Sequence, residues 1–159
     1  MGVILDSSVI LKALLSPPRN LPEKVYNREK QTHEKCKYLM RLIEERNIEV
    51  HIPAVAKVEV AGVIKRVTGD ADKALLAAIT ISENYNLHYD VELIEKALEI
   101  SLSTGASGFD SYFIALANLL NLPLFTDDKG MHIKAMGVGV KSYLIRELTI
   151  DDIKGLFGD

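Results

Sequence analysis

Short apolar runs alternate with helical stretches from one end of this 159-residue chain to the other, and that alternation limits the fold more than any other feature. Parallel strands must be joined by crossovers of a dozen or more residues, usually helical, whereas antiparallel strands need only tight turns. The spacing therefore predicts a central parallel sheet with helices on both faces, a three-layer α/β/α arrangement. Residues 3–5 read as a buried strand and 9–15 as a helix that stops at Ser16-Pro17-Pro18. Residues 23–46 read as one long helix or a helical hairpin, 48–52 as a strand, and 54–67 and 71–83 as helices divided by Thr68-Gly69-Asp70. A weak strand over 87–89 precedes a helix over 90–103, with Val91, Ile94, Ala97, Leu98 and Leu102 on one face. Ser107 can cap a helix over 107–120, followed by a strand over 124–126, a helix over 129–136, a last strand over 138–144 and a closing helix over 150–157. No internal repeat or linker interrupts the series, so residues 1–159 are expected to form one domain.

Composition narrows the function classes. A hydrophobic fraction of 48% against 26% charged residues is that of an ordinary globular protein. The formal charge of -3 argues against a broad basic surface for gripping nucleic acid, though not against a local groove or a metal-held substrate. Cys36 is the single cysteine, which leaves no internal disulfide and suits a reducing, cytoplasmic setting. The N-terminus lacks the pattern of a signal peptide, Met1-Gly2 lacks the Ser or Thr that myristoylation needs where Asp6 stands, and residues 74–81 are too few to span a bilayer.

Several carboxylates stand where a solvated surface is not expected. Asp6 ends the first strand and Asp127-Asp128 follow the strand 124–126, at the strand ends where open α/β sheets bind ligands. Glu59 has Val55, Ala56, Gly62 and Val63 as helical neighbours, and an ionised carboxylate on such a face is costly unless paired. Asp110 has Phe113 and Ile114 beside it. Each has a bland alternative. Asp6 can cap the helix after it, Ser107 with Asp110 resembles a capping box, Asp127 and Asp128 can be turn residues, and Glu59 can be a wet residue beside Lys57 and Lys65. Gathered together, the acids would repel one another unless a divalent cation lay between them, and an oxygen-only set favours Mg²⁺ or Mn²⁺. His33, His51, His88 and His132 are scattered without ligand spacing, which argues against a histidine-zinc site.

At these residues the chain resembles the PIN-domain ribonucleases, the family that includes VapC-type toxins. The matching text is Val3-Ile4-Leu5-Asp6-Ser7-Ser8, Val58-Glu59-Val60, the stretch from Asp110 to Ala117, and Leu124-Phe125-Thr126-Asp127-Asp128-Lys129-Gly130. The resemblance implies a PIN-like fold in which Asp6, Glu59, Asp110 and Asp128 ligate Mg²⁺ or Mn²⁺ and act in hydrolysis of an RNA phosphodiester. It gives Ser8 and Thr126 supporting roles and leaves the fourth ligand open between Asp128 and the extra carboxylate Asp127. It also implies an RNA substrate, an antitoxin protein if the chain is a toxin, and a homodimer or higher oligomer. The charged segment 19–46 is longer than the compact hairpin of many such toxins, and stands as a substrate clamp, a partner-binding arm or a solvated helix.

Other readings compete. A haloacid-dehalogenase-type phosphatase needs an Asp where Ser8 stands, and a receiver-like Mg²⁺-binding signalling module needs an acidic pair near the first strand that is absent. A PIN fold kept as an inactive RNA- or protein-binding scaffold is not excluded by sequence.

Overall fold

Val3, Ile4 and Leu5 have no solvent exposure, and the strand they form is the centre of the molecule. The computed structural model describes residues 1–158. In chain order the strands are β1 (Gly2–Leu5), β2 (Glu49–Pro53), β3 (Asn86–His88), β4 (Leu124–Thr126) and β5 (Ser142–Leu144). The helices are α1 (Ser7–Leu14), α2 (Glu23–Glu45), α3 (Val55–Thr68), α4 (Ala71–Asn84), α5 (Asp90–Thr104), α6 (Gly108–Leu120), α7 (Lys129–Gly137) and α8 (Ile150–Gly155), with a 3₁₀ turn over Ile145–Glu147. The five strands make one sheet in the order β3-β2-β1-β4-β5, and every pairing is parallel.

That order puts a topological switch beside β1, because the chain leaves it first toward β2 and returns later on its other side as β4. In open α/β sheets the crevice for a ligand lies at the carboxyl ends of the strands at this point. Leu5 is in register with Phe125, so Asp6 and Thr126 emerge side by side. The α/β/α expectation is met.

One open alternative is resolved and two expectations are corrected in detail. Residues 23–45 form one continuous helix rather than a hairpin, held to the core by Thr32, His33 and Cys36 as well as Leu39, Leu42 and Ile43. The last strand begins only at Ser142, because Val138 and Gly139 still close α7: both Val138 and Val140 donate to the Ala135 carbonyl, and Gly139 takes φ +81°, a conformation that suits glycine. On α5 the face named from sequence is largely in solvent, with Val91 85% and Leu102 80% exposed. Leu93, Ala97 and Ile100 are the residues α5 buries. The helix is apolar on two sides, and periodicity alone could not say which one packs against α6. Among the described residues no helix is long and apolar enough to cross a membrane.

Candidate metal centre

Asp6 stands at the N-cap position of α1 with extended backbone, yet its side chain caps nothing. Its Oδ2 instead accepts two hydroxyl hydrogen bonds, from Ser8 at 2.5 Å and from Thr126 at 2.8 Å. Each hydroxyl also accepts a backbone N–H. Asp127 donates to Ser8 Oγ at 3.0 Å, and Asp128 donates to Thr126 Oγ1 at 3.0 Å. The loop after β4 is thereby fastened to the end of β1, and Asp6 is fixed through one oxygen, while Oδ1 takes no hydrogen bond among the described residues. Burial pushes the Asp6 carboxyl up to about 6, with Glu59 and Asp110 adding to the rise and the two hydroxyls opposing it.

Glu59, on the second turn of α3, is half-buried and accepts from Ser7 Oγ at 2.9 Å. It is therefore neither a wet surface residue nor a fully enclosed one. Asp110 lies in the first turn of α6, where Ser107 is the N-cap and accepts from the Asp110 N–H. The capping reading was right about Ser107, but it does not exhaust Asp110. Its carboxyl is raised above the usual range by partial burial and by Asp128 and Glu59, against a lowering from Lys134. Asp6, Glu59, Asp110 and Asp128 are thus electrostatically linked to one another. None of the four forms a salt bridge within 4 Å among the described residues.

The two adjacent acids after β4 behave differently. Asp127 is buried and fully neutralised: Arg146 holds it in a fork, Nε to Oδ1 at 2.9 Å and Nη2 to Oδ2 at 2.8 Å, and Lys12 also bonds Oδ2. Burial alone would raise its carboxyl, but Arg146 and Lys12 outweigh it and hold the group below the ordinary range. Lys12 continues to Glu29 on α2 at 2.7 Å. Asp128 is exposed and uses Oδ1 to cap α7 through the Met131 N–H at 2.9 Å, with no cation on it.

Ser7, Lys12, Glu29 and Arg146 were not singled out from sequence. Lys12 carried a usable signal, being the only charged residue in the apolar helix 9–15. Glu29 and Arg146 carried none, since each is one charge among many.

Among the described residues no three His, Cys, Asp or Glu side chains converge tightly enough to ligate one ion as they stand. The donor chemistry nevertheless fits a hard divalent cation. The set is all oxygen, Glu59 and Asp110 help raise the Asp6 carboxyl while Asp128 and Glu59 help raise that of Asp110, and among the described residues Asp6 forms no salt bridge.

The family model of the PIN domain matches residues 3–136. Among solved structures, the crystal structure of PAE2754 from Pyrobaculum aerophilum is similar with a TM-score of 0.58 at 17% identity, covering 91% of this chain and 84% of that one. The crystal structure of FitAcB from Neisseria gonorrhoeae is similar with a TM-score of 0.57 at 17% identity, covering 92% of this chain and 99% of that one. At such identity these two likenesses speak to the fold. No curated protein matches the chain.

Proposed function

This chain belongs to the PIN-domain family, and on that premise we propose that it is a metal-dependent endoribonuclease, with Asp6, Glu59, Asp110 and Asp128 as the residues that hold Mg²⁺ or Mn²⁺. The observation that carries the reading is the buried Asp6 carboxylate, braced through Oδ2 by Ser8 and Thr126 and forming no salt bridge among the described residues, while Asp127 two bonds along the network has two. A bound divalent ion supplies neutralisation of these acids and of the charge that builds on a phosphodiester as it is hydrolysed. The chain's own residues do the positioning. Ser8 and Thr126 fix the Asp6 rotamer, Ser7 fixes Glu59, and Asp128 is set by its capping bond to Met131. Asp127 is assigned a supporting role, as the anchor of Arg146 and Lys12.

The test is cleavage of a single-stranded RNA in Mn²⁺ by the parent chain, Asp6→Asn and Asp110→Asn, each checked for an unchanged fold. Both variants are expected to lose activity by about 100-fold or more. Cleavage at the parental rate by both would sink the assignment.

Partners follow from the same reading: an antitoxin protein, if the chain is a toxin, and a second copy of the chain, in a cytoplasmic setting. Self-association is supported by the apolar residues left in solvent on α4 and α5, among them Leu75, Leu76, Val91, Leu98 and Leu102. Light-scattering masses of the chain alone and with the product of any small adjacent reading frame are expected to give a dimer and a mixed complex. A monomer under both conditions overturns both partner proposals.

A further inference from the structure

The histidines that are scattered in sequence are not all scattered in space. In the β2–β3 pairing His51 is opposite Asn86 and Pro53 opposite His88, so the two histidines lie diagonally on neighbouring strands. Their side chains meet. His51 Nδ1 and His88 Nε2 are 3.0 Å apart, with ring centroids 5.3 Å apart and the rings tilted by 38°. The His51 ring also lies over β1, close enough that a Cβ at Gly2 would stand 3.2 Å from it. Its remaining nitrogen, Nε2, faces Glu49 Oε2 at 3.4 Å.

We propose that His51 and His88 form a second cation site, chemically unlike the acidic centre, that binds a borderline divalent ion such as Zn²⁺, Ni²⁺ or Cu²⁺. Imidazole nitrogens select these ions over Mg²⁺. With metal–nitrogen bonds of roughly 2.0–2.1 Å, nitrogens at this separation subtend about 95° at an ion placed between them, which is the geometry of two adjacent ligand positions. Glu49 supplies the second feature of such sites. A ligating histidine characteristically gives its other ring N–H to a carboxylate, which fixes the tautomer and strengthens the ligand. Here the facing Glu49 charge, 3.4 Å away, favours the His51 proton on Nε2, which leaves the Nδ1 lone pair facing His88. In the metal-free protein His88 Nε2–H then donates to His51 Nδ1. On binding, the His88 proton moves to its Nδ1 and both facing lone pairs go to the ion, so no proton is lost overall. Burial and His51 hold the His88 pKa below the ordinary imidazole value, which keeps it neutral and ready to ligate. Water fills further positions, with Glu92 near enough that its charge is felt at His88. An ion here would pin the edge strand β3 and the start of α5 to β2.

The experiment uses untagged protein carrying Asp6→Asn and Asp110→Asn, so that the acidic centre is disabled, and titrates Zn²⁺ by calorimetry in the presence of excess Mg²⁺. One Zn²⁺ per chain is expected. His51→Gln and His88→Gln should each weaken it at least tenfold, and Glu49→Gln by less. His88 is partly exposed, so His88→Gln carries the test if His51→Gln, packed on Gly2, does not fold. The proposal is overturned if no Zn²⁺ binds, or if it binds equally well without either histidine. Mn²⁺-dependent RNA cleavage by His88→Gln in the otherwise parental chain is expected to stay unchanged, which keeps this result separate from the nuclease reading.

Discussion

Asp127 and Asp128 are neighbours in sequence and opposites in electrostatics. Asp127 is enclosed and shared by Lys12 and Arg146, whereas Asp128 faces solvent and belongs with Asp6, Glu59 and Asp110, a group that forms no salt bridge among the described residues. One ensemble of acids has its counter-charge built in; the other is left short of it. The difference teaches that a cluster of carboxylates is informative only after the internal cations have been assigned. A protein can neutralise a buried acid with Lys and Arg at little functional consequence. Leaving several acids unneutralised costs stability, and the cost makes sense where an ion from outside completes the set.

The sharpest way to break this comparison is to remove the Asp127 charge. Asp127→Asn leaves Lys12 and Arg146 facing a neutral amide inside the structure. Breaking a buried pair in this way destabilises by about 3 kcal/mol, the lower end of the usual range because both cations are partly hydrated. Urea unfolding should show that loss, whereas Asp128→Asn should change stability little. Equal effects for the two variants would remove the distinction between them.

A smaller effect comes from pH. Asp6 has a carboxyl raised to about 6 in the fold, against 3.8 for the ordinary residue. Between those values the folded chain binds the proton more tightly than the unfolded one. Metal-free protein should therefore lose stability as pH rises from about 4 to about 6, by on the order of 2–3 kcal/mol from this group. Asp6→Asn should flatten that part of the profile in EDTA. Parent and Asp6→Asn profiles that run parallel across this window would show that Asp6 is not strained by its burial.

Much of this was legible in the sequence because it is written locally. The strand at residues 3–5 is a contiguous apolar run, and Thr126-Asp127-Asp128 sits at a strand end wherever that strand pairs. Ser8 and Thr126 were named as supports through the family resemblance, which fixes them by their offsets from Asp6 and Asp128. What was not legible depended on pairing across the fold. Arg146 reaches Asp127 only because β5 lies beside β4 and the 3₁₀ turn follows it. His51 and His88 meet through the β2–β3 register, which no spacing in the chain reveals. The exposed face of α5 was misjudged because a helix apolar on two sides carries no mark of which side packs against α6. The choice between Asp127 and Asp128 was open for the same reason: their difference lies in Lys12 and Arg146, 115 and 19 residues away.

The central claim is that the cation-poor acids, and not the neutralised one, bind the ion. Its most direct test is Mn²⁺ binding to the parent, Asp6→Asn, Asp128→Asn and Asp127→Asn chains, followed by the loss of the free-ion electron paramagnetic resonance signal under conditions where all four are folded. The account predicts binding by the parent, its loss in Asp6→Asn, a clear weakening in Asp128→Asn and near-parental affinity in Asp127→Asn. Binding abolished by Asp127→Asn and untouched by Asp6→Asn and Asp128→Asn would contradict it.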